Sequence, residues 1–131
     1  MTDLIEVKTA DLVGAPLDWA VAMAEGYKQD TENHLTIISP RGVFTSVSIR
    51  GAAEGFGFRP STNWDQGGPL IEKHMVSLHC PQHDGDFWAA WITDNDKDVA
   101  QGAEQALPAA CRAIVAAKLG DTVQVPKELM P

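Results

Sequence analysis

The chain has 131 residues, 44% hydrophobic and 21% charged, with 18 acidic against 10 basic side chains and a net charge of −8. That length and apolar content support one domain with its own core, and two cysteines, Cys80 and Cys111, do not make the disulfide framework of a small secreted protein. The acidic balance argues against direct nucleic-acid binding, which rests on Lys and Arg neutralising phosphates, and no apolar run reaches the ~18 residues of a membrane span.

The start Met1-Thr2-Asp3-Leu4-Ile5-Glu6 lacks the basic and apolar blocks of a secretory signal, so a cytoplasmic protein is expected. Thr9 is placed to N-cap a short turn through Leu12, and Pro16 suits the opening of a helix. Leu17, Ala20, Val21 and Ala24 recur at helical spacing, Trp19 and Met23 form an adjacent row, and Gly26 follows as a stop. The spacing predicts a helix over 16–25. Residues 27–33 read as a polar linker. Leu35–Ile38 and Val43–Ile49 are rich in β-branched residues and flank Ser39-Pro40-Arg41-Gly42, which predicts a β-hairpin. Val43, Thr45, Val47 and Ile49 share one face and Phe44, Ser46, Ser48 and Arg50 the other, a pattern of antiparallel sheets.

Gly51 to Gly68 holds five glycines and Pro60 and reads as a long irregular loop, of a length that is usually functional. Its aromatics Phe56, Phe58 and Trp64 call for burial or a ligand. A short helix is expected to open at Pro69 and run to Lys73. Strands follow over Met75–Cys80 and Phe87–Ile92, joined by Pro81-Gln82-His83-Asp84-Gly85-Asp86. Asp94 to Asp98 reads as a charged surface turn. The last helix is expected over 108–118, with Leu107, Cys111, Ile114 and Lys118 in one row and Gly120 at its end. The tail Val123–Pro126 is extended. The fold class is α+β: an antiparallel sheet of about four strands with two main helices in a single compact domain over 1–131.

The stretch Phe58-Arg59-Pro60-Ser61-Thr62-Asn63-Trp64-Asp65-Gln66-Gly67-Gly68-Pro69-Leu70-Ile71-Glu72 resembles the signature segment of the phage NinX-like family. Leu12-Val13-Gly14-Ala15-Pro16-Leu17-Asp18-Trp19-Ala20-Val21-Ala22 resembles a second segment of that family. Leu107-Pro108-Ala109-Ala110-Cys111-Arg112 with Leu119-Gly120-Asp121-Thr122-Val123 resembles a third, in the family's order. The chain departs at Asn63, where the family usually has Asp, at Asp65, where it has Ala, and at Leu107, where it favours Thr before the helix proline. The last departure removes a side-chain N-cap, a matter of about 1 kcal/mol of stability. The resemblance implies a small accessory protein of phages or prophages acting in a bacterial cytoplasm, and it implies no particular activity.

The candidate ligand-binding set lies in the central segment: Arg59, Ser61, Thr62, Asn63, Trp64, Asp65, Gln66, Gly67, Gly68 and Glu72. Gly67-Gly68-Pro69 before a helix would expose backbone N–H groups at a positive helix end. Trp64 is suited to stack on a planar ring, the polar side chains around it supply donors and acceptors, and Arg59 is suited to pair with an acid group. A purely structural reading competes: Ser61 or Thr62 caps a turn, Trp64 plugs the core, and Gly-Gly-Pro makes a corner. Glu72 is either a general base or one end of a salt bridge. The segment Gly55-Phe56-Gly57 lacks the third glycine of a dinucleotide site, and no P-loop occurs.

No metal is expected. Cys80 and His83 have Cys-x-x-His spacing, and His79 and Asp84 are available, but neighbouring strand residues point to opposite faces, so a polar turn beside a buried thiol fits better. Cys80 near His74, His79 or His83 is a weak nucleophile candidate, and no catalytic residue or cofactor is assigned. Trp88 and Trp91 face opposite sides of their strand, so one belongs to the core and the other to a helix contact or a self-association surface. Two functional readings remain: a non-enzymatic accessory protein that binds a host protein or itself, and a module that binds a small nucleotide-like anion. For the second, Arg59, Lys73 and the helix start are the positive groups on offer.

Overall fold

The first expected helix is the most buried element of the molecule. In the computed structural model, which describes residues 3–30 and 35–130, α1 spans Ala15–Ala24 and every residue from Ala15 to Ala22 is buried. A helix apolar nearly all round sits inside the fold and not on its surface. Its end is a Schellman turn: the Gly26 N–H donates to Met23 O at 3.1 Å and the Tyr27 N–H to Ala22 O at 3.0 Å. Gly26 takes φ +86 there, a conformation that a side chain disfavours.

The helix α4 (Ala106–Leu119) packs across α1. It begins two residues earlier than expected, so Gln105 holds the N-cap place and Leu107 lies inside the first turn, buried. A Thr at 107 would therefore not cap this helix. Arg112 on α4 ties the structure together, donating from Nε to Leu12 O and from Nη1 to Gly102 O, each at 2.7 Å.

The α+β class holds, with eight strands in three small antiparallel sheets among the described residues in place of about four strands. β1 (Leu4–Lys8), not foreseen, pairs with β8 (Thr122–Pro126), so the extended tail has a partner, with Val7 opposite Val123. Thr9 serves this ribbon and caps nothing: its hydroxyl donates to Gly120 O at 2.7 Å, and the 3-10 turn Thr9–Asp11 has no side-chain cap.

β2 (Lys28–Gln29), β3 (Thr36–Ile38) and β4 (Phe44–Ser46) form the second sheet, in that order. β2 falls in the expected linker, whose residues 31–33 lie outside the described residues. The β3–β4 hairpin turns where Pro40, Arg41 and Gly42 predicted, with Gly42 at φ +85 and its N–H on Ser39 O at 2.8 Å. β4 stops short of 49 because Ser48 N-caps a helix, its Oγ accepting from Gly51 N at 2.8 Å. That helix, α2 (Ile49–Glu54), starts at the last residue of the expected strand and runs into the stretch expected to be loop.

β5 (Ser77–His79), β6 (Trp88–Asp94) and β7 (Lys97–Ala103) make the third sheet, which packs on α4. The acidic run is not a free surface turn: it joins β6 to β7 as a tight hairpin, with Asn95 and Asp96 at φ +50 and +65, the geometry of a primed turn. Two apolar clusters result. One joins α1 to Ile37, Val47, Cys111, Val115, Val123, Val125 and Leu129; the other joins α4 to Ala90, Ile92 and Ala103, with Trp88 against it. Leu70, on the helix described next, touches both.

Candidate functional site

The second half of the expected loop is also helical. α3 spans Trp64–Lys73, with Asn63 as N-cap accepting from Gln66 N at 3.0 Å. Gly67, Gly68 and Pro69 therefore lie inside the helix and not at its start. The reason is steric. A Cβ on Gly67 would come within 2.5 Å of Pro60 O and 2.6 Å of a Leu107 methyl, so only glycine lets α3 sit this close to its neighbours. Gly68 faces open space, and Pro69 has no N–H to give the turn before it.

The candidate residues divide by what they touch. Gln66 accepts from the Arg59 amide at 2.7 Å and donates to Gly57 O at 3.0 Å, pinning residues 57–59 to α3. Arg59 donates from Nη2 to Gly55 O at 2.6 Å, closing the end of α2. The Ser61 amide donates to Asp18 Oδ1 at 2.8 Å, and both residues are buried. Thr62 is exposed and its amide bonds Arg59 O. Trp64 is 58% exposed, so it does not plug the core. Beside it Asp65 places a carboxylate at the positive end of α3, where a second anion is less welcome. Glu72 is exposed, and it is Glu25, not Glu72, that pairs with Lys73. The segment thus clasps α1 to α3, and only Gln66 of the ten reaches the concave surface described next.

That surface is a cleft of about 670 Å³ between the β3–β4 hairpin and α3, within the range of small-molecule sites. Ser39, Pro40, Arg41, Val43 and Thr45 form one wall. Gly57, Phe58, Gln66, Leu70 and Lys73 form the other, and Glu25 and Tyr27 lie between them. The Schellman turn after α1 delivers Tyr27, whose ring meets that of Phe58 with centroids 5.0 Å apart and planes at 40°. Gly57, at φ +81, lets its segment press on β4: a Cβ there would meet Ser46 O at 2.6 Å. The Phe58 amide then bonds the same oxygen at 2.8 Å.

Charge in the cleft is unevenly partnered. Glu25 Oε1 accepts from Lys73 Nζ at 2.8 Å and Oε2 meets His74 Nε2 at 2.6 Å, with the Glu25 side chain 6% exposed. Burial raises the proton affinity of Glu25, but its bonds to Lys73 and His74 and their charges outweigh it, holding its carboxyl below the usual range. Burial, then the Glu25 charge, pushes the Tyr27 phenol up. The Arg41 guanidinium has no ion pair among the described residues. Composition and spacing do not point to Glu25, Tyr27 or Arg41. Lys73 is visible in advance only as a positive group near the central segment, and the exposed cation in the Pro-Arg-Gly turn was the one further signal to read.

A second depression of about 690 Å³ runs past Val13, Phe87, Gly102, Pro108 and Arg112. Phe87 lies over Gly102, where a Cβ would be 2.7 Å from its ring. Both Arg112 bonds already end on backbone carbonyls there.

The histidine and cysteine candidates are dispersed. Cys80 is exposed, not buried as expected, and Cys111 is buried. Burial, then the Asp18 charge, drives the Cys111 thiol far up, so it stays protonated. The His79 and Trp91 rings stand nearly perpendicular with centroids 5.8 Å apart, and His83 engages Asp84 O at 2.9 Å. Asp86 accepts from the amides of Gln82 and Phe87. Among the described residues no group of three or more His, Cys, Asp or Glu stands where it could hold a metal, and no helix is long and apolar enough to cross a membrane.

The model of the family described as "Bacteriophage P22, NinX" matches residues 8–118. That match covers α1, the clasp, both walls of the cleft and all but the last residue of α4. No curated protein matches the chain. The chain belongs to the bacteriophage P22 NinX family and is a phage accessory protein.

Proposed function

We propose that the protein is a non-enzymatic binding protein of the bacterial host cytoplasm, and that it binds in the cleft between the β3–β4 hairpin and α3. The observation that carries this reading is the construction of the cleft. Its walls come from distant parts of the chain and are fixed by hydrogen bonds that leave its apolar floor open: Gln66 on residues 57–59, Ser39 within the hairpin, Glu25 on Lys73. A preformed pocket with an aromatic floor and a few polar groups suits a small ligand.

The groups with reactive potential in the cleft have structural duties. Ser39 Oγ accepts from the Val43 and Arg41 amides at 3.0 and 3.3 Å, and Glu25 is held by Lys73 and His74. These contacts favour binding over chemistry. The anion reading attached to Trp64 and Gly67-Gly68 moves with the helix: Gln66 keeps its place at the site, and Arg41 and Lys73 supply the positive charge.

The test is a native mass spectrum of the chain purified from bacterial cytoplasm beside Thr45→Trp, which fills the cleft from the hairpin side. A small-molecule adduct on the parent that is missing from the variant supports the reading. Identical spectra contradict it.

A further inference from the structure

We infer that the cleft selects a planar aromatic ligand carrying a single negative charge, its ring on Tyr27 and Phe58 and its acid group toward Arg41. This rests on the cleft being the binding site. The floor sets the ligand's body. Tyr27, Phe58 and Leu70 are each half-buried, with faces left to cover, and flat rings pack on tilted aromatic pairs with gain beyond their area.

The charges set the head group. Among the described residues the cleft lining holds three ionic groups: Glu25, Lys73 and Arg41. Glu25 and Lys73 satisfy one another at 2.8 Å. Arg41 is then the unpaired cation of the lining, exposed at the mouth, on a chain whose net charge is −8. A guanidinium in that position offers a planar fork of donors to a carboxylate, sulfonate or phosphate oxygen pair. One free positive charge matches one negative charge. A second negative charge would find no further unpaired cation among the described lining residues, and a cation would meet Arg41.

The probe pair is 8-anilinonaphthalene-1-sulfonate, an aromatic monoanion, and N-phenyl-1-naphthylamine, the same ring frame without the charge. Fluorescence titrations use the full chain, Arg41→Gln and Val43→Glu. Both substitutions lie at exposed hairpin positions, and thermal unfolding is recorded for each so that dye uptake by a loosened state is recognised. The expected result is one sulfonate dye per chain, bound roughly tenfold more weakly by Arg41→Gln, while the neutral dye changes by less than about twofold in that variant. Val43→Glu weakens the sulfonate dye further by placing a carboxylate on the same wall.

If Arg41→Gln leaves both dyes unchanged while Val43→Glu weakens both, the cleft binds aromatics without selecting an anion, and the charge inference is overturned. If neither dye binds, or neither substitution affects either dye, the cleft itself is not the site and the functional proposal falls with the inference.

Discussion

Glu25 and Lys73, 48 residues apart, meet at 2.8 Å, and the contact closes the gap between the C-terminal ends of α1 and α3. His74 joins at 2.6 Å on the other carboxylate oxygen. The cleft lies in front of this junction, so its shape depends on an ion pair between segments that the chain order keeps far apart.

Glu25→Gln therefore lowers stability at pH 7 by about 1–2 kcal/mol, since bonds to a charged partner are stronger than neutral ones. The pH window follows from the depressed carboxyl. Its stabilising effect is fully present above the ordinary value of 4.5 and is lost as the pH falls through the lower folded-state value. Urea unfolding at pH 7 and pH 3.5 checks this. The parent and the variant should converge in the acid; a gap that widens there rules the ion pair out as the cause.

Asp18 works in the opposite sense. Buried on α1 with Ser61 on one oxygen, its carboxyl is pushed by burial from 3.8 up to about 6, against the Ser61 hydrogen bonding and the Arg59 charge. The folded state then binds more protons than the unfolded state between those values, so this group's contribution falls as pH rises from about 4 to 6. Its ionisation costs on the order of 1–3 kcal/mol at pH 7. Asp18→Asn keeps an acceptor for the Ser61 amide, and it should stabilise the protein at pH 7 by about 1 kcal/mol or more and remove that slope. Asp18→Ala removes the same slope but strands the Ser61 amide, so it should destabilise by about 1–3 kcal/mol at pH 4 and by less at pH 7, where the ionisation cost is relieved as well. Thermal melts of both variants from pH 4 to 7 separate the two effects.

Adjacent glycines on α3 should respond differently. Gly67→Ala drives a methyl into Pro60 O and Leu107 and should cost about 2–3 kcal/mol, despite alanine's helix preference. Gly68→Ala meets nothing within 4 Å. Its helical gain of up to about 1 kcal/mol is offset by the strain of a Cβ before Pro69, leaving it near neutral. Equal effects in denaturant unfolding would mean that α3 does not approach α4 as closely as described.

Arg112 carries two long-range bonds to carbonyls 100 and 10 residues away. Arg112→Leu keeps much of the stem but leaves Leu12 O and Gly102 O without that donor, and should destabilise by about 2–4 kcal/mol. A change below about 0.5 kcal/mol, the range of ordinary surface substitutions, would deny Arg112 this role.

The parts of this fold that could be read in advance are those whose signal is local. Leu17, Ala20, Val21 and Ala24 repeat at helical spacing, Pro40-Arg41-Gly42 turns a hairpin, and α4 has a continuous apolar face. β1 was hidden, and β8 was legible only as an extended tail, because each needs the other across almost the whole chain. β7 is polar and carries Lys97, Asp98 and Gln101, as an edge strand does, so it looked like a continuation of the charged turn. α2 and α3 were masked by glycines and by Pro69, residues that normally break helices. Gly67 is there because of what α3 must approach, which periodicity cannot express. The proposed binding cleft follows the same division. Gln66 was within reach as part of the family's signature segment, whereas Glu25, Tyr27 and Arg41 converge on it only through tertiary structure.

The most direct test of the cleft as binding site is a backbone amide NMR titration of the full chain with 8-anilinonaphthalene-1-sulfonate. Saturable shifts concentrated on residues 39–45, 57–58 and 66–73 are the predicted result. Shifts concentrated instead around Val13, Phe87 and Gly102, at the other depression, or no saturable shifts at all, would contradict it.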